Sequence, residues 1–386
     1  MKGSLSDATF FAFDSSRSIY LIAALITTLF CSCPKPVPPE PRVEPLEVTY
    51  VWKVDTLVFD IPGVLPPEQV RLQSVWGSSP RSVWAAGHSD IPWGRLWHYD
   101  GVQWRPVRNW PMNGNENGVP YVVYPYCVTG FDSLNVFVSC FRWFQNDSAG
   151  GGAMVLKWDG TTWYDVPWIG GERAAAGLGW IVPQAGRKLW AVGPLGTVVK
   201  YENGFLSQEP VFTDYRLGIF QVAALDNGDV FVNAYKESVY VKTPMGTITK
   251  LYKRENGRQW TLLEGKFMGG SDYDGNGLGR GIWSIGNRLF TDNRGVWERV
   301  GSSWQYHFAI YGLGSATPVS EADIWVAFGH DLRHRDAQRW TRVDVPALAS
   351  FQNAFLYGQG WSDGETVFIC LQNIDGKTYM LRGRKQ

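Results

Sequence analysis

The chain has 386 residues, with 36 Lys+Arg balanced by 36 Asp+Glu, and it is rich in Trp (20), Phe (20), Tyr (17) and Gly (43). So much aromatic and glycine content at only 19% charge fits a folded, turn-rich β protein and excludes a disordered tail. Zero net charge without a basic block leaves no electrostatic footprint for nucleic acid.

The first element is an apolar run from Ile19 to Phe30, preceded by Arg17. It is shorter than the roughly 20 residues a spanning helix needs, and it suits the apolar core of a secretory signal. The run ends in Phe30-Cys31-Ser32-Cys33. An apolar run closed by a small residue and Cys resembles the bacterial lipoprotein signal, in which that Cys becomes the lipidated first residue. Small Ser32 precedes Cys33, whereas bulky Phe30 precedes Cys31, so Cys33 is the expected lipidation site. Residues 1–32 are then a signal peptide. Residues 33–47, with Pro34, Pro36, Pro38, Pro39 and Pro41, form a stiff linker. The domain that follows is expected to be extracytoplasmic, attached to a bacterial membrane by its lipid anchor.

Residues 48–386 repeat. Val83-Trp84-Ala85-Ala86-Gly87 returns with its aromatic at positions 137, 190, 231, 283, 325 and 368, at intervals of 53, 53, 41, 52, 42 and 43. Seven β-branched and aromatic strands at this period predict an all-β, seven-bladed β-propeller of four-stranded blades. A hairpin follows the first repeat, Leu96 to Trp104 around Asp100-Gly101, and again at Val155 to Trp163 around Asp159-Gly160. Asp-Gly marks a tight turn because Gly accepts the positive φ. The last repeat, ending at Thr378 to Arg382, lacks a closing strand. Thr49 to Val54 supplies a Trp followed closely by Val, as Trp340 to Val343 does, so the N-terminal strand is expected to close the ring.

Trp76-Gly77-Ser78-Ser79-Pro80 through Trp104 resembles the Trp-rich propeller repeats of bacterial secreted proteins and lipoproteins. The resemblance implies a propeller displayed outside the cytoplasm and serving as a binding or scaffold module. It fixes no chemistry.

Asp272-Tyr273-Asp274-Gly275-Asn276-Gly277 starts like a calcium loop, but loop position 12 is Trp283 rather than Glu, so the segment reads as a turn. His98 and His334 share one repeat position, as do His88 and His330, which marks scaffold positions rather than a metal site. No Gly-x-Ser-x-Gly elbow, His-Glu-x-x-His or phosphate loop occurs, and no cofactor or metal is expected. Cys127 and Cys140 flank a hairpin turn symmetrically. An oxidising compartment would permit a disulfide between them, the alternative being two apolar fillers.

Long loops gather on one face of the expected ring, and binding resides on such loops. They carry Trp93, Trp110, Trp143, Phe144 and Trp168, the expected ligand-binding aromatics. The favoured function is a non-enzymatic module binding a glycan or an envelope protein through this face. The rivals are a structural docking ring of an envelope assembly and a polysaccharide-acting glycosidase or lyase. An enzyme would need two converging carboxylates, with Asp90, Glu116, Asp147 and Glu172 as candidates by location. Carboxylates in the central funnel favour the enzyme; aromatics without them favour binding.

Overall fold

The computed structural model describes residues 49–386, apart from 117, 145–150, 170–172, 175, 210–217, 238–245, 270–276, 280, 310–314, 321–322, 337–338 and 352. The signal, the linker and Cys33 lie outside the described residues, as do Asp147, Glu172 and all of the Asp272 loop but Gly277. Helix among the described residues is confined to the 3-10 segments Pro92–Gly94 and Pro346–Ser350. The protein is all-β.

The described strands form six sheets. Four are simple four-stranded antiparallel meanders in chain order. The first runs Ile181–Gln184, Lys188–Val192, Val198–Glu202, Phe205–Gln208; the others span 218–269, 281–309 and 315–342. A fifth sheet runs from Val119–Asp132 through Asn135–Phe144 and Gly152–Trp158 to Trp163–Asp165, with Asn113–Glu116 as an extra strand beside the first. The sixth has eight strands. One half is the meander Val70–Ser79, Ser82–Ser89, Leu96–Tyr99, Trp104–Pro106; the other is Ala354–Ser362, Thr366–Asn373, Thr378–Lys385, with Tyr50–Asp55 on its outer edge. The halves meet at one parallel pair, Ser74 with Gln359.

Local chemistry explains these meanders. Asp100 Oδ1 accepts from the N–H groups of Val102 and Gln103 at 2.9 and 3.0 Å. Asp159 does the same for Thr161 and Thr162 at 2.9 and 2.8 Å, so each Asp closes its turn with its own side chain. The glycine ending the repeat has a second cause. A Cβ on Gly87 would collide with the Arg71 carbonyl oxygen, and one on Gly193 with that of Gly177. The two backbones approach too closely for any side chain. His98 and His334 lie under Trp84 and Trp325, with ring centroids 4.1 and 4.2 Å apart. Burial pushes His98 down to about 4, so it packs as a neutral ring.

Facing sheets share cores. Trp84, Ala86 and Leu96 pack against Val136, Val138 and Cys140, and Phe137 and Val155 pack against Leu189 and Val199. The strand Tyr50–Asp55 sets Tyr50, Trp52 and Val54 onto the cluster of Trp325, Leu356 and Leu381. Asp55 pairs with Arg382 at 2.8 Å, and Arg382 Nη1 donates to the Tyr99 hydroxyl at 3.0 Å. The N-terminal strand therefore contacts the C-terminal strand along its whole length. All strands and clusters fall within one compact unit.

One expectation is corrected, and one alternative left open is decided. Ile282-Trp283 belongs to the first strand of its sheet, Gly281–Ile285, and Phe290 occupies the second-strand position. Cys127 and Cys140 are not bonded; both are free and buried. A bulge between Gly130 and Asp132 sets Cys127 opposite Ser139, and a second between Pro125 and Cys127 sets Pro125 opposite Cys140. The thiols then enter different cores, Cys127 with Phe137 and Cys140 with Val138. Burial pushes Cys127 up to about 11 and Cys140 well above its ordinary value. Thiol titration of residues 42–386 in denaturant is expected to find three thiols, and almost none in the native protein.

Candidate functional site

The first strand of each meander presents an edge with no further strand beside it over most of its length. These edges converge on a central cavity of about 350 Å³. Its walls come mostly from the C-terminal halves of the first strands, including Val75 and Trp76 of Val70–Ser79, Val222 and Ala224 of Gly218–Ala224, and Gln359 to Ser362, with Trp180, Ile282 and Ala316 reaching it from nearer the strand starts. The cavity therefore lies at the end where first strands turn into second strands, opposite the long loops.

Four indoles line it: Trp76, Trp180, Trp283 and Trp361, all half-buried. Each is seated against protein. Trp283 stacks on Phe290 with centroids 5.8 Å apart at 8°. Trp361 lies over Gly77, where a Cβ would approach its ring to 2.9 Å, and Trp76 lies over Gly130 at 2.6 Å from such an atom. Trp180 meets Tyr126 edge-on at 6.1 Å. Bare glycine backbone provides the bed for two of these large rings.

Gln221 and Gln359 supply amides. Gln221 Oε1 accepts from the Ile282 N–H at 2.6 Å, which fixes its orientation. Behind Gln359, Cys127 Sγ sits 3.8 Å from the Gln359 Oε1, 3.3 Å from the Ser74 Oγ and 3.8 Å from the Ile181 carbonyl. These contacts knit the inner strands together beside the cavity. Asp226 is the one carboxylate among the described lining residues.

The long-loop face departs from expectation. Trp110 is 4% exposed and packs in the core with Trp84 and Trp163; Trp168 is 8% exposed and packs with Leu178 and Leu206. The preceding outer strands, Trp104–Pro106 and Trp163–Asp165, are three residues each, and the indoles that follow cover core such short strands leave open. These two are structural. Trp93 and Phe144 are half-buried, and Trp143 is exposed at 47%. Truncating Trp110 to Ala is expected to cost about 3–5 kcal/mol, read as a fall in the urea midpoint.

The carboxylates there are engaged. Glu116 pairs with Arg142 at 2.7 Å and lies 3.9 Å from Arg173. Arg142 in turn lies 5.2 Å from the Tyr121 ring centroid and 5.1 Å from that of Phe144. Burial alone would raise Asp90, but hydrogen bonds from the Glu68 and Gln69 N–H groups and the Ser89 hydroxyl hold it below its ordinary value. Asp90 is a loop anchor. Among the described residues no group of three or more His, Cys, Asp or Glu could hold a metal ion.

No family model matches the chain, and no curated protein matches it. Among solved structures, YCF48 bound to the D1 peptide is similar at 13% identity and a TM-score of 0.54, over 89% of this chain and 100% of that one. PorZ, a surface component of the type-IX secretion system of Porphyromonas gingivalis, gives 10% and 0.49 over 85% of this chain and 39% of PorZ. The WD40 β-propeller domain of Doa1 gives 12% and 0.44 over 82% and 94%. At such identities a likeness speaks for fold alone. The chain has a β-propeller type of fold.

Proposed function

We propose that this chain is a lipid-anchored, extracytoplasmic β-propeller of seven blades that binds a glycan or a protein without acting on it. The blade count treats the eight-stranded sheet as two blades, since one bridge alone joins its halves, with Tyr50–Asp55 closing the ring. Anchoring at Cys33 rests on the signal motif, and labelled fatty acid should enter the full chain but not its Cys33→Ala variant.

The observation that carries the binding reading is the central cavity, whose described lining holds four indoles, two amides and one carboxylate. Glycoside hydrolysis in its usual form needs two carboxyl groups roughly 5–9.5 Å apart. Aromatic faces set beside polar groups, one of them fixed by its own hydrogen bond, suit a ligand site. A protein partner is the other ligand class, and the similar YCF48 holds a peptide.

The test uses soluble residues 42–386 on a glycan array and against envelope extract, with bound polysaccharide then assayed for new reducing ends. Retention without release is expected. Release of reducing ends would overturn the reading in favour of a hydrolase.

A further inference from the structure

Resting on that binding reading, we infer that the central cavity takes one terminal pyranose unit of a neutral glycan. The unit enters from the short-turn end and is held by Trp76, Trp283 and Trp361 with Gln221 and Gln359.

Charge selects the class. With Asp226 as the one charged lining residue among those described, an acidic sugar or a phosphate would meet no cation. Its charge would be partly desolvated without compensation. A neutral ligand incurs no such cost.

Shape and surface select the unit. A volume of about 350 Å³ lies at the small end of the roughly 300–1,000 Å³ typical of ligand sites, which suits one ring rather than a long segment. A pyranose is amphipathic, with C–H groups on its faces and hydroxyls around its edge. Indoles offer flat electron-rich faces to the C–H groups. Planar amides donate and accept together, matching hydroxyls that do both. Gln221 is held by its bond from the Ile282 N–H, which turns its amide nitrogen into an oriented donor for the ligand. The indoles are backed by Phe290, Gly77 and Gly130, so they need little ordering when a ring arrives.

The site also differs in place from the long-loop face, where Trp143 is the exposed aromatic. That separation lets mutagenesis distinguish the two ends.

The experiment titrates residues 42–386 with methyl glucoside, galactoside and mannoside and with N-acetylglucosamine. Glucuronic acid and glucose 6-phosphate serve as charged comparisons, all read by saturation-transfer NMR. At least one neutral probe should saturate, and its charged analogue should bind about tenfold more weakly. Gln359→Leu and Trp361→Phe should each weaken the neutral probe by about tenfold, the scale of one lost hydrogen bond or stacking contact. Trp143→Ala should leave it unchanged, and the urea midpoint of each variant shows that it is folded. Binding abolished by Trp143→Ala but insensitive to the cavity variants would overturn the assignment. If no pyranoside binds while an envelope protein is retained, the ligand class falls and the binding reading stands. If nothing is retained, both fall.

Discussion

Removing residues 1–55 is expected to lower stability by about 5 kcal/mol and to make the chain aggregate. The strand Tyr50–Asp55 pairs with Thr378–Lys385 at six consecutive positions. It places Tyr50 edge-on to Trp325 at 5.1 Å and Trp52 at 6.0 Å from the same indole. Burying such a side chain is worth roughly 1.5–3 kcal/mol, and Tyr50, Trp52 and Val54 are lost together. Arg382 would keep the Tyr99 hydroxyl but lose Asp55. The bared edge of Thr378–Lys385 becomes a template for a second chain. A domain stable by about 5–15 kcal/mol cannot absorb this change easily. Urea melts and gel filtration of residues 56–386 against 42–386 provide the check. Equal midpoints and a monomeric shorter chain would show that the N-terminal strand is dispensable.

Glu298→Gln is expected to cost about 3 kcal/mol at neutral pH. Glu298 is 8% exposed; it receives Arg288 Nε at 2.6 Å and lies 2.9 Å from His307 Nε2. Removing one charge of a largely buried pair leaves the other poorly compensated. Burial alone would raise the Glu298 pKa, but the hydrogen bonds from His307 and Arg288 overcome it and hold the carboxyl at about 2. Because the folded value lies below the unfolded one of about 4.3, the contribution is full above that unfolded value. It is lost as pH falls from about 4.5 towards 2. Melting temperatures of the native protein and the variant should therefore converge across that window. A gap that stays constant to pH 2.5 would contradict the charge account.

Much of this architecture could be read from the residues. The Val-Trp strands, the Asp-Gly turns and the pairing of Thr49–Val54 with the last strand follow from side-chain chemistry that acts locally or recurs. The strand around Trp283 did not read correctly, because Gly281–Ile285 and Arg288–Asp292 are both β-branched and aromatic. A turn of two residues separates them, so the pattern fits either as the second strand. The choice between a thiol pair and two apolar fillers stayed open for another reason. A one-residue bulge reverses which face a side chain takes, and nothing in Gly130-Phe131-Asp132 announces it beyond the glycine. Loop position alone could not tell Trp143 from Trp110, since which indole folds back depends on core left open by three-residue outer strands. The cavity indoles were overlooked although a signal was present: Trp76, Trp283 and Trp361 each fall near the end of a first strand. That position faces the axis only once the sheets are arranged about it.

The most direct test labels the tryptophans of residues 42–386 with 5-fluorotryptophan and follows their fluorine resonances while the neutral pyranoside is added. Single Trp→Phe variants assign the signals. Joint movement of Trp76, Trp283 and Trp361, with Trp93 and Trp143 still, is the result expected of a central ligand site. Movement confined to Trp93 and Trp143 would place the ligand on the long-loop face and contradict it.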